Sequence, residues 1–293
     1  MLDRTFRGSR DTAVGEQLLR RLDTYFRLQE ASSPELLTSA LSLRYQVYCL
    51  ERKFEEPEQF ADRLETDEYD RRSIHGLIFY RPADEAIGTT RLIFPELAGT
   101  GLPIQSLLRK VDVDAASYFP IGTTAEVSRF AISRDFRRRN SDRLALSDEV
   151  EAPASRDTEC RSNLPCLGLI QIVLQMSLAR GITHWAAVME PTLLRMLAAM
   201  GIRFTQIGPR ISHHGIRQPA FCHVPSMLET LFCEKPGYWD VITNAGTLSY
   251  SQKESARVGR QMFETGRLRA HVPRLPIAKR LDAFEPPSIP ARP

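Results

Sequence analysis

Ala125-Glu126-Val127-Ser128-Arg129-Phe130-Ala131-Ile132 sets an acid and a base three positions apart in a run that otherwise reads as a strand. Strict alternation of side chains places Arg129 on the face of Val127, with Glu126 on the opposite one. A charge buried in such a strand is costly unless a partner or a ligand matches it. The bland alternative is an edge strand whose charges face water, and the octapeptide alone does not decide between them.

Its surroundings supply the context. On the N-terminal side, His75 to Tyr80 and Ala86 to Phe94 are two strand-like runs joined by Arg81-Pro82-Ala83-Asp84-Glu85, a hairpin pattern. Leu102 to Val111 reads as a short helix. Ser33-Pro34-Glu35 reads as a helix start, and Leu36, Leu37, Ala40, Leu41, Tyr45, Tyr48 and Cys49 give the apolar face that follows. From Leu50 to Glu68 the periodicity is lost and carboxylates crowd in, a composition typical of a solvated loop.

On the C-terminal side, residues 137–165 lack periodicity and read as an irregular insert. Leu167 to Arg180 is an apolar helix closed by Gly181. Ile182 to Met189, Thr192 to Met200 and Ile202 to Ile207 read as strand, helix and strand, an α/β signal. Arg217 to His223 and Pro225 to Cys233 add a strand and a helix. Three segments are expected: a polar extension with a helix near Val14 to Leu28 over 1–33, a domain over 34–250, and a basic, Pro-rich tail over 251–293.

Composition narrows the classes. The chain has 293 residues and a formal net charge of +3, too small an excess to argue for nucleic acid, and basic and aromatic residues are not interleaved on one element. Met1-Leu2-Asp3-Arg4 does not begin a secretory pattern, and the most apolar window, Leu167 to Ala179, falls short of a membrane span. Five cysteines without zinc spacing fit a reduced, cytoplasmic setting. No metal site is expected.

Four pieces occur in order: Arg44-x3-Tyr48-x5-Phe54, Glu65-Thr66-Asp67-Glu68-Tyr69-Asp70, Thr90-Arg91-Leu92 and Glu126-Val127-Ser128-Arg129-Phe130. This order resembles the acyl-homoserine-lactone synthases and the N-acyl amino acid synthases. The Arg-Tyr-Gln-Val-Tyr-Cys run from Arg44, Gly181-Ile182-Thr183-His184-Trp185 and Met189-Glu190-Pro191 resemble, more closely, the PEP-CTERM/exosortase system-associated acyltransferases. The likeness spans roughly residues 30 to 245. It implies an α/β GNAT fold with a mixed, mostly antiparallel sheet and splayed central strands. It also implies transfer of an acyl group to an amine from acyl-phosphopantetheine, on acyl carrier protein or coenzyme A, with no tightly bound cofactor.

By the same resemblance, Glu126 is the carboxylate that acts as base or organises it, and Arg129 pairs with the acidic segment. Asp67 and Asp70 hold the N-terminal lobe and face the amine, with Glu65 in the same set. Arg91 faces the substrate or serves structure, and Arg44, Tyr48 and Phe54 cover the amine pocket. Phe54 stands where many lactone synthases have Trp, which argues against an S-adenosylmethionine pocket. Phe130 joins the substrate-binding set.

A buried salt-bridge network joining Arg44, Arg91 and Arg129 to the acids is the structural alternative for the whole group. Leu167, Ile170, Leu174, Val188 and Met189 are candidates for an apolar acyl slot. The glycine-rich phosphate loop expected after the focal strand is missing, with only Gly168 near the helix start. Arg137, Arg138 and Arg139 are therefore the candidates for a phosphodiester or an acidic carrier surface. Lactone synthesis and a non-catalytic module that binds acylated carrier protein remain the alternative functions.

Overall fold

The computed structural model describes residues 9–96, 101–114, 118, 120–138, 156–212 and 215–250. Helix α1 (Ser9–Tyr25) runs straight into strand β1 (Phe26–Glu30), and α2 (Pro34–Arg44) continues as a π-helical segment, Tyr45–Glu51. Strands β2 (Ser73–Tyr80) and β3 (Glu85–Ile93) form the expected hairpin, followed by α3 (Pro103–Arg109) and β4 (Thr124–Ile132). Then come α4 (Arg156–Leu178), β5 (His184–Met189), α5 (Pro191–Ala199), β6 (Thr205–Gln206) and β7 (Ile211–Ser212). β8 (Ile216–His223), α6 (Val224–Glu234) and α7 (Pro236–Ile242) complete the described chain.

The strands make one sheet in the order β1-β2-β3-β4-β5-β8-β6, with β7 paired to β8. Every pairing is antiparallel except β4 with β5, which is parallel and only three residues long, ending at Glu126 opposite Ala186. Beyond that point the two central strands diverge. Alternation along β2 divides the helices between the sheet's faces. Gly76 and Ile78 meet α4 through Ile172 and Gly168, whereas Leu77 and Phe79 pack with Ala40 of α2. The main core lies on the α4 face and holds Leu22, Ile78, Leu92, Leu167, Val173 and Trp185. A smaller cluster of Leu102, Ile104, Leu108, Ala186 and Ile207 fills the space under α3.

Two expectations are corrected. Residues 9–33 are not an added extension: Leu18, Leu22 and Phe26 lie in the main core, and β1 pairs with Gly76 to Tyr80 of β2. The helical periodicity of α1 runs unbroken into Phe26, so the short alternation of β1 is hidden behind it. The insert ends earlier than Pro165, because α4 starts at Arg156 and carries Pro165 within it; the preceding residues 139–155 lie outside the described residues. Gly168 is a packing position of α4. A Cβ there would stand 2.9 Å from Ile78 Cδ1 and 3.0 Å from Leu28 Cδ2, so the missing side chain lets α4 settle onto the sheet. The C-terminal tail, from 251 on, lies outside the described residues.

Removing residues 1–30 is expected to abolish cooperative unfolding rather than trim a dispensable arm. Leu22→Ala, at a side chain 1% exposed, should lower stability by about 2–5 kcal/mol in urea denaturation. A shortened chain that unfolds like the full one would contradict this account of β1.

Candidate functional site

The register of β4 decides where its charges go. Arg91 of β3 pairs with Ser128, but Thr89 pairs with Ala131, so Thr90 alone faces both Arg129 and Phe130. This is a β-bulge, and Arg129 takes the left-handed conformation with φ 48°. The extra residue resets the alternation. Arg129 turns to the side of Glu126, Ser128 and Arg91, while Phe130 joins Val127 on the other side. Strict alternation would have left Arg129 beside Val127, and the bulge overturns that expectation.

Arg129 meets the acidic segment between α2 and β2. Its Nε and Nη2 donate to the two Glu65 carboxylate oxygens at 3.0 and 2.8 Å, and Nη2 also reaches Asp67 at 3.1 Å. Arg44 donates from Nε to Glu65 and from Nη1 to Asp70, both at 2.6 Å. Arg91 grips Asp67 through two nitrogens at 2.6 and 2.9 Å, reaches Asp70 at 2.6 Å, and donates from Nε to Ser128 Oγ at 2.9 Å. Asp67 and Asp70 are fixed from below, since Tyr69 N–H donates to Asp67 and Asp67 N–H to Asp70. The run of carboxylates is thus only partly a solvated loop: Glu56, Glu58, Asp62 and Glu68 are exposed, while Glu65 is 1% exposed.

Three guanidiniums and three carboxylates close the network with no net charge. Burial works against the Glu65 carboxylate, but hydrogen bonds and charges from Arg129 and Arg44 overcome it and hold it at about 2. Burial likewise opposes an ionised Asp70, and Arg44 and Arg91 pull it below its ordinary range. His75 stands 3.6 Å from Asp70, yet burial and then the Arg44 charge hold it down at about 3, so its ring is neutral.

Glu126 stands outside this exchange. It is 5% exposed, and Ile104 N–H donates to its Oε2 at 2.7 Å. Burial lifts its carboxyl to about 7; the Ile104 hydrogen bond and the charges of Arg91 and Arg72 hold it back from rising further. Arg72, which the sequence did not single out, is tied to the same turn. Its Nη1 donates to the carbonyls of Phe94 and Gly101 at 2.8 and 2.7 Å, and its guanidinium lies 5.3 Å from the Tyr69 ring.

Tyr48 of the π-helical segment lies under the Arg129 guanidinium at 5.1 Å, and Phe54 packs 6.4 Å from Tyr48. Phe54 is also flanked by the guanidiniums of Arg52 and Arg217, at 5.9 and 5.1 Å. Both arginines pair with Glu190 at the end of β5, at 3.2 and 2.8 Å. This segment therefore bridges β4 and the β5–β8 half of the sheet.

The other side of β4 is apolar. Val127, Phe130, Ile170, Trp185, Met189 and Phe204 line a cleft where β4 and β5 part. Of the five acyl-slot candidates, Ile170 and Met189 reach it. Leu167 and Leu174 are fully buried in the main core, and Val188 packs with the cluster under α3. Arg137 and Arg138 are exposed on a short helical segment, residues 134–138, that follows β4, and Arg139 lies outside the described residues. No group of three metal-binding side chains occurs among the described residues.

Comparison with known proteins agrees with this architecture. Residues 43–147 match a family described as an acetyltransferase (GNAT) domain. No curated protein matches the chain. Among solved structures, TofI in a ternary complex with an inhibitor and MTA is 18% identical with a TM-score of 0.50, covering 74% of this chain and 96% of its own. FeeM, an N-acyl amino acid synthase from uncultured soil microbes, is 20% identical with a TM-score of 0.47, covering 71% of this chain and 96% of its own. BjaI, a CoA-dependent acyl-homoserine lactone synthase, in its structure with SAM and isopentyl-CoA, is 18% identical with a TM-score of 0.47, covering 80% and 99%.

The carboxyl of Glu126 gives the site a measurable signature. Its folded value of about 7 lies above the ordinary 4.5, so native stability falls as pH rises between those values. Gln keeps an acceptor for Ile104 without the charge. Glu126→Gln should therefore gain stability over wild type, on the order of 3 kcal/mol, as pH goes from about 5 to 8. Glu65 has the opposite sign: its stabilisation is present above 4.5 and is lost as pH falls toward about 2. Urea midpoints of both proteins across this range provide the check. With its bulged β4 and a sheet parted between β4 and β5, the chain has the GNAT fold.

Proposed function

We propose that the protein is an N-acyltransferase that moves a fatty acyl group from a phosphopantetheine thioester to the amine of an amino acid or similar small molecule. One observation carries this reading: β4 sets a buried carboxyl poised near neutrality beside the parted strands, with an apolar cleft on its other side.

An ammonium has no lone pair, so the acceptor must lose a proton before it attacks. Ionised Glu126 takes that proton, directly or through a water, and a base near the working pH suits the task. The nitrogen then bonds to the thioester carbonyl carbon, the carbon–sulfur bond breaks, and the thiolate leaves with the second amine proton. Pairing of β4 with β5 stops at Glu126, so β4 backbone N–H groups beyond it are available to the pantetheine arm and the developing oxyanion. The acyl chain enters the cleft between Val127, Phe130 and Met189. Asp67, Arg91 and Arg129 hold the acceptor's floor in a fixed geometry.

Arg137 and Arg138, exposed where β4 ends, suit a phosphodiester or the acidic face of an acyl carrier protein. Carrier protein is the donor we favour, because no glycine-rich pyrophosphate loop follows β4. The sequence likeness to the PEP-CTERM/exosortase system-associated acyltransferases supports membership of that group, and five cysteines without zinc spacing support a cytoplasmic setting. No helix among the described residues is long and apolar enough to cross a membrane.

Purified protein with acylated carrier protein and amino acids should yield N-acyl amides by mass spectrometry together with free thiol. Glu126→Gln should lower kcat about 10²–10⁴-fold, and wild-type kcat/KM should rise with pH through a limb near 7. A homoserine lactone product would instead favour the lactone synthases. Acyl-carrier binding without turnover by any donor would leave a binding module.

A further inference from the structure

We propose that Arg72 selects the acceptor by receiving a carboxylate carried next to its amine. The inference rests on the N-acyl transfer reading and names the residue that reads the acceptor's second group.

The charge balance points to it first. Arg44, Arg91 and Arg129 are each neutralised by Glu65, Asp67 and Asp70 at 2.6–3.1 Å. Arg72 has no such partner: among the described residues its contacts are two neutral carbonyls and an aromatic ring. Only Nη1 is engaged there. Nε and Nη2 make no hydrogen bond among the described residues, and Arg72 is only half-buried. They form one edge of a planar fork that matches the two oxygens of a carboxylate.

The backbone then places the Arg72 guanidinium near the base, where its charge acts on the Glu126 carboxyl. Arg72 is clamped to the carbonyl of Gly101, and Glu126 to the N–H of Ile104, three residues further along the same turn. Its second anchor, the Phe94 carbonyl, follows Ile93, which is the register partner of Glu126. Tyr69, beneath the Arg72 guanidinium, gives its backbone N–H to Asp67. An acceptor lying here sets its ammonium toward Glu126 and its carboxylate toward Arg72. When the ammonium gives its proton to Glu126, the acid becomes neutral, and the Arg72–carboxylate pair is the charge that remains balanced. An amine without a carboxylate leaves the guanidinium unanswered.

The test compares proteinogenic amino acids with their carboxamides as acceptors. Donors are octanoyl, dodecanoyl and hexadecanoyl thioesters of both carrier protein and coenzyme A. Wild type, Arg72→Gln and Arg72→Lys are assayed after thermal unfolding shows that each is folded. Wild type should prefer the acid to its amide. Arg72→Gln should lose about 10–100-fold in kcat/KM for the acid, mainly through KM, and change little for the amide. Arg72→Lys should restore part of the loss. Equal losses on acid and amide would reduce Arg72 to a tie between two loops and overturn the proposal. A wild type that acylates only amines lacking a carboxylate would overturn it while leaving N-acyl transfer intact. Transfer to no amine at all would overturn both readings.

Discussion

The bulge in β4 is the constraint on which the site depends. A regular strand can show Arg129 to one face only together with Val127, and Glu126 to the other only together with Phe130. One extra residue opposite Thr90, with Arg129 in the left-handed region, breaks that rule. Glu126, Ser128 and Arg129 then share a polar face, and Val127 and Phe130 share an apolar cleft. A left-handed non-glycine backbone is strained, at a cost of order 1–3 kcal/mol, and here three contacts of Arg129 with Glu65 and Asp67 hold it. The same strand thereby faces charge on one side and hydrocarbon on the other, as a reaction joining a polar amine to a fatty chain requires.

The six-membered charge network is the frame for that strand. Each buried charge is costly alone, and each here has at least two partners. Because the network neutralises itself, it leaves few charges free to act, and those that remain stand out. Glu126 is one, lifted by burial to a value from which it can gain or lose a proton near neutrality. Arg72 is another, anchored to the turn that also fixes Glu126. The sheet thus separates groups that hold the site together from groups left open to a substrate.

Much of this was legible in the sequence, and the failures have physical causes. The β2–β3 hairpin was readable because Arg81-Pro82-Ala83-Asp84 carries its own turn chemistry, and β4 because its apolar residues dominate. The bulge was not, since no glycine marks it and its cause is tertiary: Arg129 turns to meet acids 62 and 64 positions earlier. Composition made Leu50 to Glu68 a solvated loop, and it is one at Glu56, Glu58, Asp62 and Glu68. Only the order of motifs set Glu65, Asp67 and Asp70 apart. β1 was hidden because its five residues follow a helix without a break. Arg72 was missed because it sits beside Arg71 in what reads as a surface pair; its meaning comes from carbonyls 22 and 29 residues away.

The fold holds the Glu126 carboxyl of β4 buried, unpaired with any arginine among the described residues, and ready to accept a proton near neutral pH. Carbon-13 NMR of protein labelled at the glutamate side-chain carboxyls, with Glu126→Gln used to assign its signal, measures this directly. A titration centred near 7 and missing from the variant is the expected result. A midpoint at the ordinary value of 4.5 would mean that Glu126 is solvated or salt-bridged, and would contradict it.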